Sequence, residues 1–295
     1  MDSTRKLVLS VVLLSTFLAL SSCGGGSGGP AKGSPEWYWE AAQGRFDASD
    51  HLKVQEHLKD LAKDEGDMRK RAAAWRLVVV TGLARGYLEL GNAYADGAKK
   101  NAAKAAAFRN SIQQYRRDSR QYAIDLAESI GPFLKLTQGD ASISLDFNFP
   151  SGNAAPSGMA GNIRGGGVPT DMQQAEVADH EVRRAVLLQT AALAGAGEEV
   201  NAARPKFETR PVEIPRQVFL NALARSAFLV SDLFDRTRLN QPDIKKILIE
   251  RARDCLKTGL ESEDEEVKKQ AEEIENEIQE KEKSDEKIRK RLRRG

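Results

Sequence analysis

Trp75-Arg76-Leu77-Val78-Val79-Val80-Thr81-Gly82-Leu83-Ala84-Arg85-Gly86-Tyr87-Leu88-Glu89-Leu90-Gly91-Asn92-Ala93-Tyr94 is the stretch on which the reading of the fold turns. Trp75, Val79, Leu83, Tyr87, Leu90 and Tyr94 recur at spacings of three and four and form one stripe of a helix. Leu77, Val80, Ala84 and Leu88 form a second. Apolar residues on two faces require neighbours on two sides, so a helix over Asp67 to Tyr94 belongs at the centre of a bundle or solenoid. The valines at 78–80 each cost only tenths of a kcal/mol in helix propensity. Burial of each returns roughly 1.5 kcal/mol or more, so packing decides the conformation. Gly82, Gly86 and Gly91 cost about 1 kcal/mol each against alanine, which close approach of another helix would offset.

On either side of this stretch the helical period continues. Ser34-Pro35-Glu36 supplies an N-cap, a first-turn proline and an early acid for a helix carrying Trp37, Trp39 and Ala41 and ending at Gly44. Val54, Leu58 and Leu61 mark a second helix. Asn101 to Leu136 reads as a long helix with Phe108, Ile112, Tyr115, Tyr122, Leu126, Ile130 and Phe133 on one stripe. Its other face carries Lys99, Lys100, Lys104, Arg109, Arg116, Arg117 and Arg120. That face is either solvated or a seat for an anion, and Asp118 and Asp125 dilute it.

From Gly139 to Pro169 the period changes. Ile143, Leu145, Phe147 and Phe149 alternate as in a strand, and Pro150 to Pro169 is rich in Gly, Ser, Asn and Pro. Two expectations stand for this insertion: a strand or hairpin covering apolar surface, or a mobile binding segment. Gly165-Gly166-Gly167 has no Lys-Ser/Thr after it, as a phosphate loop requires. Thr170-Asp171-Met172-Gln173 is a capping box that restarts the helices, with Val177, Val182, Val186, Leu187 and Leu193 up to Gly195 and Gly197. Arg204 to Pro215, with three prolines, reads as an extended linker. Pro215 and Gln241-Pro242-Asp243 then open two helices. The second carries Cys255 among apolar residues, the setting of a core thiol. Glu261 to Gly295 is charged and helical, with Lys281 and Asp285 interrupting its apolar spacing, and either caps the body or pairs with a partner helix.

Two resemblances add to this reading. Tyr87, Leu90, Gly91 and Tyr94, followed by Asp96-Gly97 and Ala103, resemble part of a tetratricopeptide (TPR) repeat. The pattern departs afterwards: Ala107 stands where an aromatic is expected, and no proline closes the repeat near Tyr115. No 34-residue period runs along the chain, whose 295 residues otherwise have room for several repeats. The fold class implied is an all-α, TPR-like solenoid or bundle of antiparallel hairpins. It carries one long Gly/Pro-rich insertion and a charged C-terminal helix.

At the start of the chain, Arg5 and Lys6 precede an apolar run from Leu7 to Leu20, then Leu20-Ser21-Ser22-Cys23. This resembles the signal peptide and lipobox of bacterial lipoproteins, in which the cysteine is lipidated and becomes the first mature residue. The run of about 14 apolar residues falls short of the roughly 20 that span a bilayer. The resemblance implies a signal peptide over 1–22, a lipid on Cys23 and a Gly/Ser tether over 23–33. Gly24 stands where an acid would favour inner-membrane retention, which implies the periplasmic face of an outer membrane. Beyond the leader, the expected units are 34–136, 137–169, 170–260 and 261–295.

Composition narrows the function. With 45 Lys and Arg against 43 Asp and Glu, the chain has no bulk attraction to nucleic acid. His51, His57 and His180 lack the spacing that puts two metal ligands on one helix face. Asp179-His180-Glu181 sits on a helix, where neighbours do not face each other, so no acid/base dyad is expected. No nucleophile–base or metal spacing and no cofactor motif appears, so no enzyme is expected. The first reading is a membrane-anchored helical scaffold that binds an envelope protein or peptide. The alternative is a ligand-handling accessory, because the Tyr94 to Phe133 region is similar, in helix order and aromatics, to the TPR-like lipoprotein component of tripartite (TRAP) solute transporters.

Overall fold

The two-striped segment forms a helix of 34 residues, α3 (Asp67–Lys100), about 50 Å long. Every residue of both stripes is buried except Tyr87, which is half-buried. The computed structural model describes residues 29–63, 66–235 and 238–292. The leader over 1–22 and the lipobox Cys23 lie outside the described residues. Among those residues no helix is long and apolar enough to cross a membrane.

α3 is packed on both sides, as its two stripes require. On one side lies α4 (Ala105–Leu136), antiparallel: Tyr94 meets Phe108 and Tyr115, and Tyr87 stacks on Tyr115 and Tyr122. The Ser119 hydroxyl donates to the Ala84 carbonyl across the seam at 2.8 Å. On the other side lies α6 (Asp171–Ala191), whose start carries the expected capping box between Thr170 and Gln173. Gly82 and Gly86 face it. A Cβ on Gly82 would stand 2.7 Å from Val186 Cα, and one on Gly86 3.0 Å from Val182 Cα. Gly91 faces α4, where its Cβ would meet Arg116. The glycines therefore mark close helix approach on both sides.

Two shorter helices precede α3. Ser34 caps α1 (Pro35–Asp47), accepting from the Trp37 amide at 3.2 Å. The sequence places the end of this helix at Gly44, but α1 continues for most of a turn. Phe46, buried at ring-centroid distances of 5.2 Å from Trp75 and 5.3 Å from Phe147, holds that turn down. α2 (His51–Leu61) buries Val54, Leu58 and Leu61. The turn after α3 is also displaced from expectation. Asp96 and Gly97, the hairpin turn of the repeat resemblance, remain helical, and the chain turns at Asn101 through a 3₁₀ turn over Ala102–Lys104. At 34 residues this one helix is as long as a whole helix–turn–helix repeat, so the chain keeps no 34-residue hairpin period across it.

The insertion is packed along its first half. β1 (Ser142–Leu145) pairs antiparallel with β2 (Val212–Pro215), with Ile143 opposite Ile214 and Leu145 opposite Val212. Phe147 continues the alternation and stacks on Trp75, centroids 5.0 Å apart and planes 6° apart. The second half forms α5 (Gly158–Arg164), capped by Ser157, where the Ile163 carbonyl lies so close to Gly97 that no Cβ could intervene. The extended linker expected over Arg204 to Pro215 is corrected. Its prolines bracket structure instead of preventing it: α7 (Val200–Ala203) runs into a 3₁₀ turn over Arg204–Phe207, and β2 follows. Phe207, Val212 and Ile214 are buried, which gives the segment its own anchors.

The last three helices are α8 (Arg216–Ser231), α9 (Pro242–Leu260) and α10 (Glu265–Leu292). α8 and α9 form an antiparallel pair. α10 lies across both, burying Val267, Ala271, Ile274 and Ile278. The interruption at Lys281 and Asp285 has a structural use. Lys281 reaches Asp235 at 2.9 Å and Asp232 at 3.3 Å, and Asp285 pairs with the buried Lys245, which also pairs with Asp235. Among the described residues the architecture is ten α-helices and one two-stranded sheet around one hydrophobic core that runs from Ala42 to Ile278.

Candidate functional site

The C-terminal end of α6 does not finish as a regular helix. Ala192–Ala196 takes a π-type turn in which Gly195 has φ 71°, and Gly197 follows with φ 60°. Both values favour glycine. π-turns occur frequently at functional sites. Lys206 holds the turn by donating to the Ala194 carbonyl at 2.9 Å, a cation at the negative end of a helix. The turn carries Glu198 back over α3, where its carboxylate meets Arg85 at 2.7 Å. Arg85 also lies 3.4 Å from Gln189 Oε1 and 4.0 Å from Glu89.

A cleft of about 410 Å³ opens beside this turn, between α8 and the first half of α10. Val218, Ala222, Leu229 and Ile274 give it an apolar floor. Asn221, 2% exposed, ties the two helices together by donating from Nδ2 to the Val267 carbonyl at 2.9 Å. Asp264 caps α10, accepting from the amides of Glu266 and Val267 at 3.0 and 3.2 Å. Below the floor, the fully buried Gln189 accepts from the Ser226 hydroxyl at 3.0 Å, and its Nε2 has no partner among the described residues.

The charges around the cleft do not cancel. Arg85 is held by Glu198, and Arg225 by Glu277 at 2.9 Å. Glu266 and Glu273, both exposed on the rim, make no ion pair among the described residues. The cleft is thus apolar at its base and acidic at its edge. Such a surface suits an amphipathic ligand that brings positive charge.

From Arg85 a line of ion pairs crosses to the insertion. Glu89 pairs with Arg184 at 2.8 Å, and Arg184 with the buried Glu181 at 3.5 Å. Glu181 also accepts from the Ser157 amide at 2.7 Å, while Arg184 Nε donates to the Ala154 carbonyl at 2.8 Å. His180 Nδ1 stands 3.3 Å from Glu181. The expectation that these two helix neighbours do not meet is therefore corrected. Glu181 turns inward to satisfy Ser157 and Arg184, which brings its carboxylate within reach of the adjacent imidazole.

The other residues singled out from sequence fall outside the cleft. Tyr94 is buried and Tyr87 half-buried in the α3–α4 seam, so both pack against the next helix. Burial pushes the Tyr122 hydroxyl up to about 12. On the basic face, Lys99, Lys100, Lys104, Arg109 and Arg117 are solvated. Arg120 instead donates to Gln241 at 2.8 Å, and burial lowers the Arg116 pKa. Cys255 is fully buried, and burial pushes its thiol well above the usual range. Cys23, the expected lipid anchor, lies outside the described residues. The cleft is not legible in the sequence because its walls come from 85, 192–198, 218–229 and 264–274, where Gly195 and Gly197 read only as the end of a helix.

Comparison with protein-family models, curated proteins and solved structures gives no match. Fold and site together define a mostly helical protein with an acid-rimmed, apolar-floored cleft.

Proposed function

We propose that this chain is a lipid-anchored helical scaffold of a bacterial cell envelope, and that it seats a segment of a partner polypeptide in the cleft between the π-turn, α8 and α10. The cleft carries the reading: an open apolar floor beneath exposed rim carboxylates offers an anchor pocket and charge steering, the two elements by which peptide segments are recognised. The antiparallel pairs α3–α4 and α8–α9 support a TPR-like scaffold. The Leu20–Cys23 lipobox supports attachment through Cys23, and Gly24 supports the periplasmic face of the outer membrane.

Mass spectrometry of the mature N-terminus should find diacylglyceryl on Cys23. Cys23→Ala protein that stays on the membrane with its leader attached would refute the lipoprotein reading. Crosslinking in intact cells should recover the same one or few envelope proteins repeatedly, and Leu229→Asp, at a cleft position 37% exposed, should abolish that recovery with the fold intact. Unchanged recovery would place the binding surface elsewhere.

One observation favours the alternative, an accessory of a TRAP-type solute transporter. At about 410 Å³ the cleft falls within the range of small-molecule sites, roughly 300–1,000 Å³. A stoichiometric small molecule in native mass spectrometry, lost in Leu229→Asp and unaccompanied by a protein, would replace the first reading with the second.

A further inference from the structure

α10 is polarised along its length. Residues 265–278 hold six acids and two lysines, whereas residues 279–292 hold four acids and six bases. Its first half lines the cleft with Glu266, Glu273 and Ile274. Its apolar burial against α8 and α9 ends at Ile278, ion pairs hold it to the body as far as Asp285, and residues 286–288 beyond are exposed. There Ile288 stands 49% exposed in a segment rich in bases, with the exposed Lys287 beside it and Lys290 paired to Glu286 at 2.7 Å. An exposed apolar side chain on a net-basic segment, Lys287 to Arg291, is the complement of an apolar floor beneath carboxylates.

One copy cannot bring the two together. From Val267 to Ile288 a continuous helix rises about 30 Å, so the basic end stays far from the cleft that its own start lines. A second copy can. We infer that the chain self-associates, the basic end of α10 from one copy seating Ile288 in the acid-rimmed cleft of another. Two α10 helices laid antiparallel place basic end on acidic start at both ends at once. The contact is then isologous and closes as a two-fold dimer, without open filaments. The inference rests on the reading of the cleft as a seat for a polypeptide segment, and it names that segment.

The test places a photo-crosslinking benzoylphenylalanine at Ile288, or separately at Leu229, in the full-length chain in its membrane. Both positions are exposed, so the fold tolerates the probe. The Ile288 probe should yield a product of twice the chain mass, with the crosslink mapped by mass spectrometry to residues 264–274 or 218–229. Glu266→Lys with Glu273→Lys should lower the yield about tenfold. Adding Lys287→Glu and Lys290→Glu to that variant should restore it, an outcome that general destabilisation would not produce. Copy-to-copy crosslinks that map elsewhere, or an Ile288 probe that captures nothing or only a different protein, would overturn the inference. If the Leu229 probe then captures a different polypeptide, the cleft reading survives without self-association. If neither probe captures a polypeptide, both fall.

Discussion

Gly82 and Gly44 both sit inside helices, and the two differ only in what a side chain would meet. Nothing lies within 4 Å of a Cβ built on Gly44, while one on Gly82 would collide with the Val186 backbone at 2.7 Å. Gly44→Ala should therefore stabilise the protein by about 0.5–1 kcal/mol through helix propensity and a smaller unfolded ensemble. Gly82→Ala should destabilise it by about 2 kcal/mol or more, because α6 must move outward. Denaturant midpoints of the two variants, read against wild type, check the opposite signs. The sequence marks Gly82, Gly86 and Gly91 as costly and so as contact points, but it does not assign them to partners. That assignment depends on which helix returns to α3, and no local pattern carries it.

His51 carries a second prediction at this scale. It is buried beside Phe46, its Nδ1 lacks a partner among the described residues, and burial, followed by the nearby Arg183, lowers its pKa to about 4. The folded state thus binds this proton less readily than the unfolded chain, where the value is about 6.5. The resulting stabilisation is complete above pH 6.5 and is lost as pH falls toward 4. From pH 7 to pH 5 the loss from this group should be about 2 kcal/mol. His51→Phe should remove that slope from a series of denaturation curves. A slope unchanged by the substitution would mean that other groups carry the acid sensitivity.

At the scale of elements, the stretch least like a helix turns out to be part of the core. Phe147 lies in a segment whose alternation is visible in sequence, yet the surrounding Gly, Ser and Pro also permitted a mobile reading. The stack on Trp75 and the pairing with Val212–Pro215 decide for packing. Phe147→Ala should cost about 3–5 kcal/mol, as for any large buried aromatic, and a loss below 1 kcal/mol in chemical denaturation would contradict the stack. The partner strand went unread because a four-residue strand bracketed by prolines carries too few alternations to show a period. The charged interruption of α10 was visible as a break in spacing. Its meaning, a cluster with Asp232, Asp235 and Lys245, needs residues from α9 and the turn before it. Burial there raises the Asp235 pKa, but hydrogen bonds from Lys245 and Lys281 outweigh it, so its carboxyl stays below the usual range.

For the whole molecule, helical character and the central place of α3 were legible because both follow from period, and period is local. The cleft was not, because it gathers residues that lie up to about 190 positions apart along the chain. A core continuous from Ala42 to Ile278 implies that the body opens as one unit unless α10 detaches first. Cys255 can distinguish the two. It is fully buried in α9, beneath a layer that includes α10. In the Cys23→Ala chain it is the sole thiol, so its reaction with a thiol reagent reports only on openings that uncover α9. Native-state labelling rates at rising urea should give an opening free energy equal to the global unfolding free energy, with the same denaturant slope. Asp285→Ala, which removes one partner of Lys245 without touching the apolar contacts, should shift both quantities together by about 1–3 kcal/mol. Labelling that is faster than global unfolding and nearly independent of urea would show that α10 lifts off locally. The cleft would then be a surface that assembles and disassembles with that helix, while the rest of the body stays folded.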